Sequence, residues 1–261
     1  MSGDTSPDSY RHSRGDWAVV VGATGALGGA ISRRLRRAEL RVLAVARDRV
    51  GLDRLAEDDP GVVPCATDIG KVASIERIAA ALDAPVRIAV QATGLPRAGP
   101  LSTVDPDALG AAVALKAGGL LRLVRAVDDR LDAGSRIVAL GGHFGSEPEP
   151  HATAAGVTNA ALANLVRQLS DAYGPRGVTV HLLAPGPVDT ERLRGLASTA
   201  AESRGVGVEE VLDEHRAASP LGRLVTAEQV AWAVGMLLDS EADALHGSTL
   251  ALDGGARRGL F

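Results

Sequence analysis

Short apolar runs alternate along this chain with longer segments in which apolar residues recur at every third or fourth position. The runs begin at Ala18–Val21 and Arg41–Val45, continue at Val62-Val63, Val86–Val90, Arg136–Leu140 and Val178–Leu183, and end at Ser248–Leu252. Each reads as a buried strand. Between them, Ile31 and Leu35 continue at helical spacing, and a helix is predicted over about 72–82. Asp105 and Pro106 cap and start a long helix through Ala111, Leu115, Leu120 and Val124. Further helices are predicted over about 154–173 and 227–238, and the polar stretch 192–219 reads as short helical pieces. Strands alternating with helices imply right-handed crossovers and an α/β fold with a doubly wound parallel sheet of about seven strands, helices on both faces. No repeat or linker divides residues 16–261, which are read as one domain. Residues 1–15 are polar and mixed in charge, and are read as a weakly ordered or disordered lead-in.

The first strand runs directly into a glycine turn, Gly22-Ala-Thr-Gly25-Ala-Leu-Gly28. Strand, turn and helix start together make an anion site, because free backbone N–H groups and the helix dipole converge there. A Cβ at the glycines would hold a pyrophosphate away from the backbone. The expectation is a Rossmann-type dinucleotide fold, weighed against a glycine-rich turn with no ligand.

Composition narrows the alternatives. A net charge of −4 and a pI near 5.9 lack the basic face that nucleic acid requires, and 2% aromatic content leaves few stacking platforms. No apolar run approaches the roughly 20 residues of a membrane span. Cys65 is the sole cysteine, so no disulfide framework or cysteine metal cluster is expected, and a cytoplasmic protein fits best. Lys71 and Lys116 are the only lysines in a chain otherwise rich in arginine.

From about Trp17 to Gly255 the chain resembles the short-chain dehydrogenase/reductase family. Gly22, Thr24, Gly25, Leu27 and Gly28 stand at its cofactor turn, here with G-x-x-G-x-x-G spacing. Asp68 and Ile69 sit where the family contacts adenine, and Gln91-Ala92-Thr93-Gly94 replaces Asn-Asn-Ala-Gly. Pro185, Gly186, Val188 and Thr190 match the loop that holds the nicotinamide amide, with Asp189 inside it. Leu221-Gly222-Arg223, Thr226 to Ala231 and Asp253-Gly254-Gly255 match the C-terminal run. Arg47 follows the second strand, where an acidic residue would accept from the ribose of NAD. A guanidinium there suits a 2′-phosphate, so NADP(H) is preferred over NAD(H).

The resemblance also implies an Asn-Ser-Tyr-Lys relay, in which a lysine brings a phenol down from a pKa of about 10. Those positions are assigned to Ala114, Gly142, Ala155 and Asn159, so all four are replaced. Lys116, two residues past Ala114, is expected on a different side of its helix. Asn159 retains the ability to bond a ribose hydroxyl. Gly142 and Ala155 remove bulk over the nicotinamide. His143 and His151 are the candidate catalytic replacements, with Glu147 or Glu149 as orienting carboxylates; their bland reading is a polar surface loop. No ligand spacing points to a metal, and His181 reads as structural.

Three functions follow. The first is an atypical NADP(H)-dependent oxidoreductase acting on a small molecule, either an iminium needing no acid or a carbonyl protonated by a histidine. The second is a non-redox isomerase, dehydratase or cyclase, with no nucleotide required. The third is a non-catalytic nucleotide-binding subunit, in a mixed oligomer with an active homologue. The resemblance implies a homodimer or homotetramer through the two long helices, with Trp232 and Leu252 near a second contact.

Overall fold

The computed structural model describes residues 15–95 and 100–259; the proposed lead-in and Tyr10 lie outside them, apart from Gly15. Seven strands form one parallel sheet in the order β3-β2-β1-β4-β5-β6-β7. They are β1 (Trp17–Val21), β2 (Arg41–Ala46), β3 (Val62–Ala66), β4 (Val86–Gln91), β5 (Arg136–Leu140), β6 (Thr179–Pro185) and β7 (Thr249–Leu252). Strand side chains alternate between faces, and β1 shows the consequence. Trp17, Val19 and Val21 pack with Leu120, Leu123 and Leu162 on one face. Ala18 and Val20 pack with Ile31, Leu35 and Val230 on the other.

Helices cover both faces: α1 (Ala26–Arg37), α2 (Arg49–Asp58), α3 (Ser74–Ala79), α4 (Pro106–Val127), α5 (Thr153–Tyr173), α6 (Glu191–Arg204), α7 (Val208–Ala218) and α8 (Ala227–Met236). The cap expected at Asp105 is present, its carboxylate accepting from Asp107 N at 3.0 Å. Three differences from the sequence reading have plain causes. Helix α2 was not anticipated, because Leu52 is its only buried residue. Helix α3 is shorter than 72–82. The stretch 192–219 forms two full helices whose small apolar seam, including Leu193, Ala197, Val211 and Leu212, closes one against the other.

Helix α2 depends on its cap. Asp48 accepts from Gly51 N at 3.1 Å, while little burial holds the helix down. Asp48→Ala is expected to cost about 1 kcal/mol, read as a lowered denaturant midpoint.

His181 is structural, as expected. It is fully buried in β6, with ring nitrogens 2.8 Å from Thr179 Oγ1 and 3.1 Å from Leu245 O, and burial pushes its pKa down to about 4.

Candidate active site

Strand order reverses direction at β1, whose neighbours are β2 and β4, so a crevice opens beyond their C-terminal ends. The glycine turn occupies it. Gly22, at φ +84°, donates its N–H to Val45 O at 2.8 Å, and Gly25 is the N-cap of α1 with no side-chain acceptor. The first N–H groups of α1 therefore face a cleft of about 590 Å³ bordered by Thr24, Gly25, Asp48 and Thr190. A pyrophosphate has the charge and size for that position. Leu27 is half-buried against the core, and Gly28 is buried beneath the turn.

Other predicted cofactor residues gather along the same edge. Asp68 Oδ1 accepts from Gly70 N at 2.8 Å, and Ile69 is buried. Ala92 N donates to Val21 O at 2.9 Å, tying the end of β4 to β1, and the exposed Gly94 follows. Pro185 ends β6, Gly186 N donates to Leu252 O at 3.1 Å, and Val188 bridges to Val225. Thr190 caps α6 by accepting from Leu193 N at 3.4 Å.

Arg47 is exposed just past β2, and Asp48, the next residue, borders the cleft. The cations that border it are Arg33 of α1 and Arg54 of α2, neither of which the linear spacing singled out. Arg33 makes a loose 3.7 Å ion pair with Glu228, both side chains largely exposed.

Around the positions assigned to the relay, Ala114 is exposed, whereas Lys116 is buried on the inner face of α4. Lys116 Nζ donates to Leu140 O at 2.7 Å and lies 3.3 Å from Asn159 Oδ1 and 3.5 Å from Gly141 O. Lys116 and Ala114 do face different sides, as expected, and the buried side is that of Lys116: on this helix, 112, 116, 119, 120 and 123 form the buried stripe. Burial, with a smaller contribution from the Arg192 charge, holds the Lys116 pKa down at about 8. Asn159 lies on α5, one turn after the half-buried Ala155. A Cβ at Gly142 would be only 2.9 Å from Asn159 Nδ2, so this amide borders the space a side chain at 142 would take. Arg192 reaches across from α6 to Leu95 O at 2.7 Å.

The histidines are less central. His151 is exposed, with Nδ1 3.8 Å from Glu149 Oε2. Glu147 instead accepts from the backbone N–H groups of Arg258 and Gly259, both at 2.6 Å. His143 is half-buried beside Phe144, and burial lowers its pKa despite a hydrogen bond with the Pro185 backbone. His215 of α7 is close enough to feel the charges of both, a proximity that no sequence motif indicated. Among the described residues, no three His, Cys, Asp or Glu side chains gather as metal ligands.

Sheet order and glycine turn together define a Rossmann-type protein, and comparison with known proteins fixes the family. The model described as Enoyl-(Acyl carrier protein) reductase matches residues 22–257. The chain belongs to the short-chain dehydrogenase/reductase family of oxidoreductases. It is 29% identical over 252 residues to the 3-oxoacyl-[acyl-carrier-protein] reductase FabG of Pseudomonas aeruginosa, covering 93% of this chain and 97% of that one. A putative ketoacyl reductase of Streptomyces coelicolor is 28% identical, covering 91% and 95%. An actinorhodin polyketide ketoreductase solved with NADPH superposes with a TM-score of 0.85 at 26% identity, covering 96% and 98%. A short chain oxidoreductase of P. aeruginosa, NADPH-bound and with an atypical catalytic center, gives 0.81 at 26% identity, covering 94% and 97%.

Proposed function

We propose that this protein is an NADP(H)-dependent reductase of a neutral carbonyl compound, working without the family's tyrosine–lysine relay. The observation that carries the reading is the uncapped α1 N-terminus facing a cleft bordered by Arg33 and Arg54. Thr24 and Gly25 would approach the pyrophosphate, and the two guanidiniums suit a 2′-phosphate. The NADPH carried by two solved relatives supports the same nucleotide. When bound, the nicotinamide supplies a hydride to the substrate carbon; the C=O electron pair moves to oxygen, which takes a proton from water.

Of the two substrate types, electrostatics favours the carbonyl. Lys116 and Arg192 are close enough for their charges to interact. Two cations repel an iminium, but they stabilise negative charge growing on a carbonyl oxygen. His143, kept neutral at pH 7 by burial, has one N–H and spends it on the Pro185 carbonyl, so it is not the acid of this reading. Assembly through α4 and α5 as a homodimer or homotetramer, in the cytoplasm, belongs to the same reading. Trp232, 53% exposed, offers a further contact.

Fluorescence titration tests the nucleotide. NADPH is expected to bind at least about tenfold more tightly than NADH, and the Arg33→Ala/Arg54→Ala double variant to lose that preference while keeping its NADH affinity. Equal affinities in the wild type would remove the NADP(H) assignment, and binding of neither would remove the reading. Loss of NADPH absorbance with 2,2,2-trifluoroacetophenone, an activated neutral ketone, reads the chemistry.

A further inference from the structure

Lys116 is one of only two lysines, and it is buried 4% exposed in a helix whose neighbouring positions at that depth are apolar. Burying an ammonium is costly unless its donors are met. Here they face three oxygens: Leu140 O at 2.7 Å, Asn159 Oδ1 at 3.3 Å and Gly141 O at 3.5 Å. Two of these belong to the backbone where β5 ends, and the third belongs to the side chain that stands in the relay lysine's place. An ammonium has no acceptor, so the Asn159 amide must turn its oxygen towards Lys116. Its Nδ2 donors then face the other way, towards Gly142.

We infer that Lys116 is a positioning residue that locks the Asn159 amide, so that Nδ2 donates to an oxygen of the nicotinamide riboside and the buried cation stands behind that contact. A lysine on α4 behind an asparagine on α5 thereby takes over orientation and charge, while Gly142 leaves the amide room. This rests on the nucleotide reading above, and it adds a residue which that reading does not need.

The charge of Lys116 is the switchable part. Among the described residues, the one other ionisable group that bears on it is the Arg192 guanidinium, from α6; α5 presents the neutral Asn159, and β5 presents backbone carbonyls. Arg192 stays charged across the working range, so a pH dependence near 8 belongs to Lys116.

The test has two arms. In the first, lysine labelled with carbon-13 at Cε gives just two NMR signals, from Lys71 and Lys116. Asn159→Asp should raise the titration midpoint of the Lys116 signal by at least about one unit, since a carboxylate replaces an amide oxygen. An unmoved midpoint would overturn the contact. In the second, NADPH is compared with 2′,5′-ADP, which lacks the nicotinamide riboside. Lys116→Met should weaken NADPH at least about tenfold and leave 2′,5′-ADP unchanged, and Lys116→Arg should restore part of the loss. Wild-type NADPH affinity should fall several-fold as pH rises from about 7 to 9, and the Met variant should show no such fall. Equal NADPH affinity in wild type and Met variant, or an equal loss for both ligands, would overturn the inference. Failure of the wild type to bind either ligand would instead overturn the nucleotide reading, while the first arm still judges the Lys116–Asn159 contact.

Discussion

Gly28→Ala is expected to abolish nucleotide binding at the concentrations that saturate the wild type, and to lower the melting temperature as well. A Cβ at residue 28 would overlap the Gly22 carbonyl oxygen, lie 2.7 Å from its carbon and 2.9 Å from Ala23 Cα. All of those atoms are backbone, so no rotamer change relieves the clash. The turn must open, which carries the first N–H groups of α1 away from the position where they converge. Overpacking of this kind costs about 1–3 kcal/mol of stability. A displaced anion site is expected to lose at least about a hundredfold in NADPH affinity, equivalent to ~2.7 kcal/mol. Gly110→Ala is the matched control: Gly110 is exposed in α4, and an added Cβ meets nothing within 4 Å. That substitution should stabilise the helix by about 0.5–1 kcal/mol without changing affinity. Thermal unfolding and NADPH titration on the two variants read both effects; unaltered NADPH affinity in Gly28→Ala would mean that the turn does not hold the nucleotide.

Much of this architecture was legible in the sequence because the central sheet strands carry their own burial signal. β1, β4, β5 and β6 are buried along their whole length and read as apolar runs. Elements held by caps or by small residues were harder to see. α2 buries Leu52 alone, and α6 buries only Leu193, Ala197 and Ala201, so their sequences look like polar connections. At the candidate site, the backbone placement of Gly22, Gly25, Gly28 and Gly186 follows the turn and loop patterns. The placement of side chains with long reach does not. Arg33 and Arg54 come to the cleft from two different helices, and nothing in their linear spacing joins them. Lys116 was read only as facing away from Ala114, which it does; that its side is the buried one follows from its spacing with Ala112, Gly119, Leu120 and Leu123, a stripe the sequence reading did not draw.

The same burial makes Lys116 visible in the stability of the whole protein. Its pKa of about 8 lies below the ordinary lysine value of 10.5, because the folded state disfavours the charged form. Between those two values the unfolded chain holds the proton and the folded protein has released it. Stability therefore rises with pH across that window, and below about 8 the full cost of the buried charge is present. From pH 7.5 to 9.5 the gain from this group is expected to be about 2 kcal/mol, at ~1.36 kcal/mol per unit above pH 8. Two other groups run the opposite way. Burial raises the Cys65 thiol, and burial with the Asp128 hydrogen bond pushes Tyr173 up to about 12, so each keeps its proton in the folded state after the unfolded chain has lost it. Both are common to the wild type and Lys116→Met, and the difference between the two proteins cancels them. Urea unfolding of each at pH 7.5 and 9.5 should show the wild type gaining about 2 kcal/mol relative to the Met variant. A zero difference would mean that Lys116 titrates as an ordinary surface lysine, and a buried cation behind Asn159 could not then be sustained.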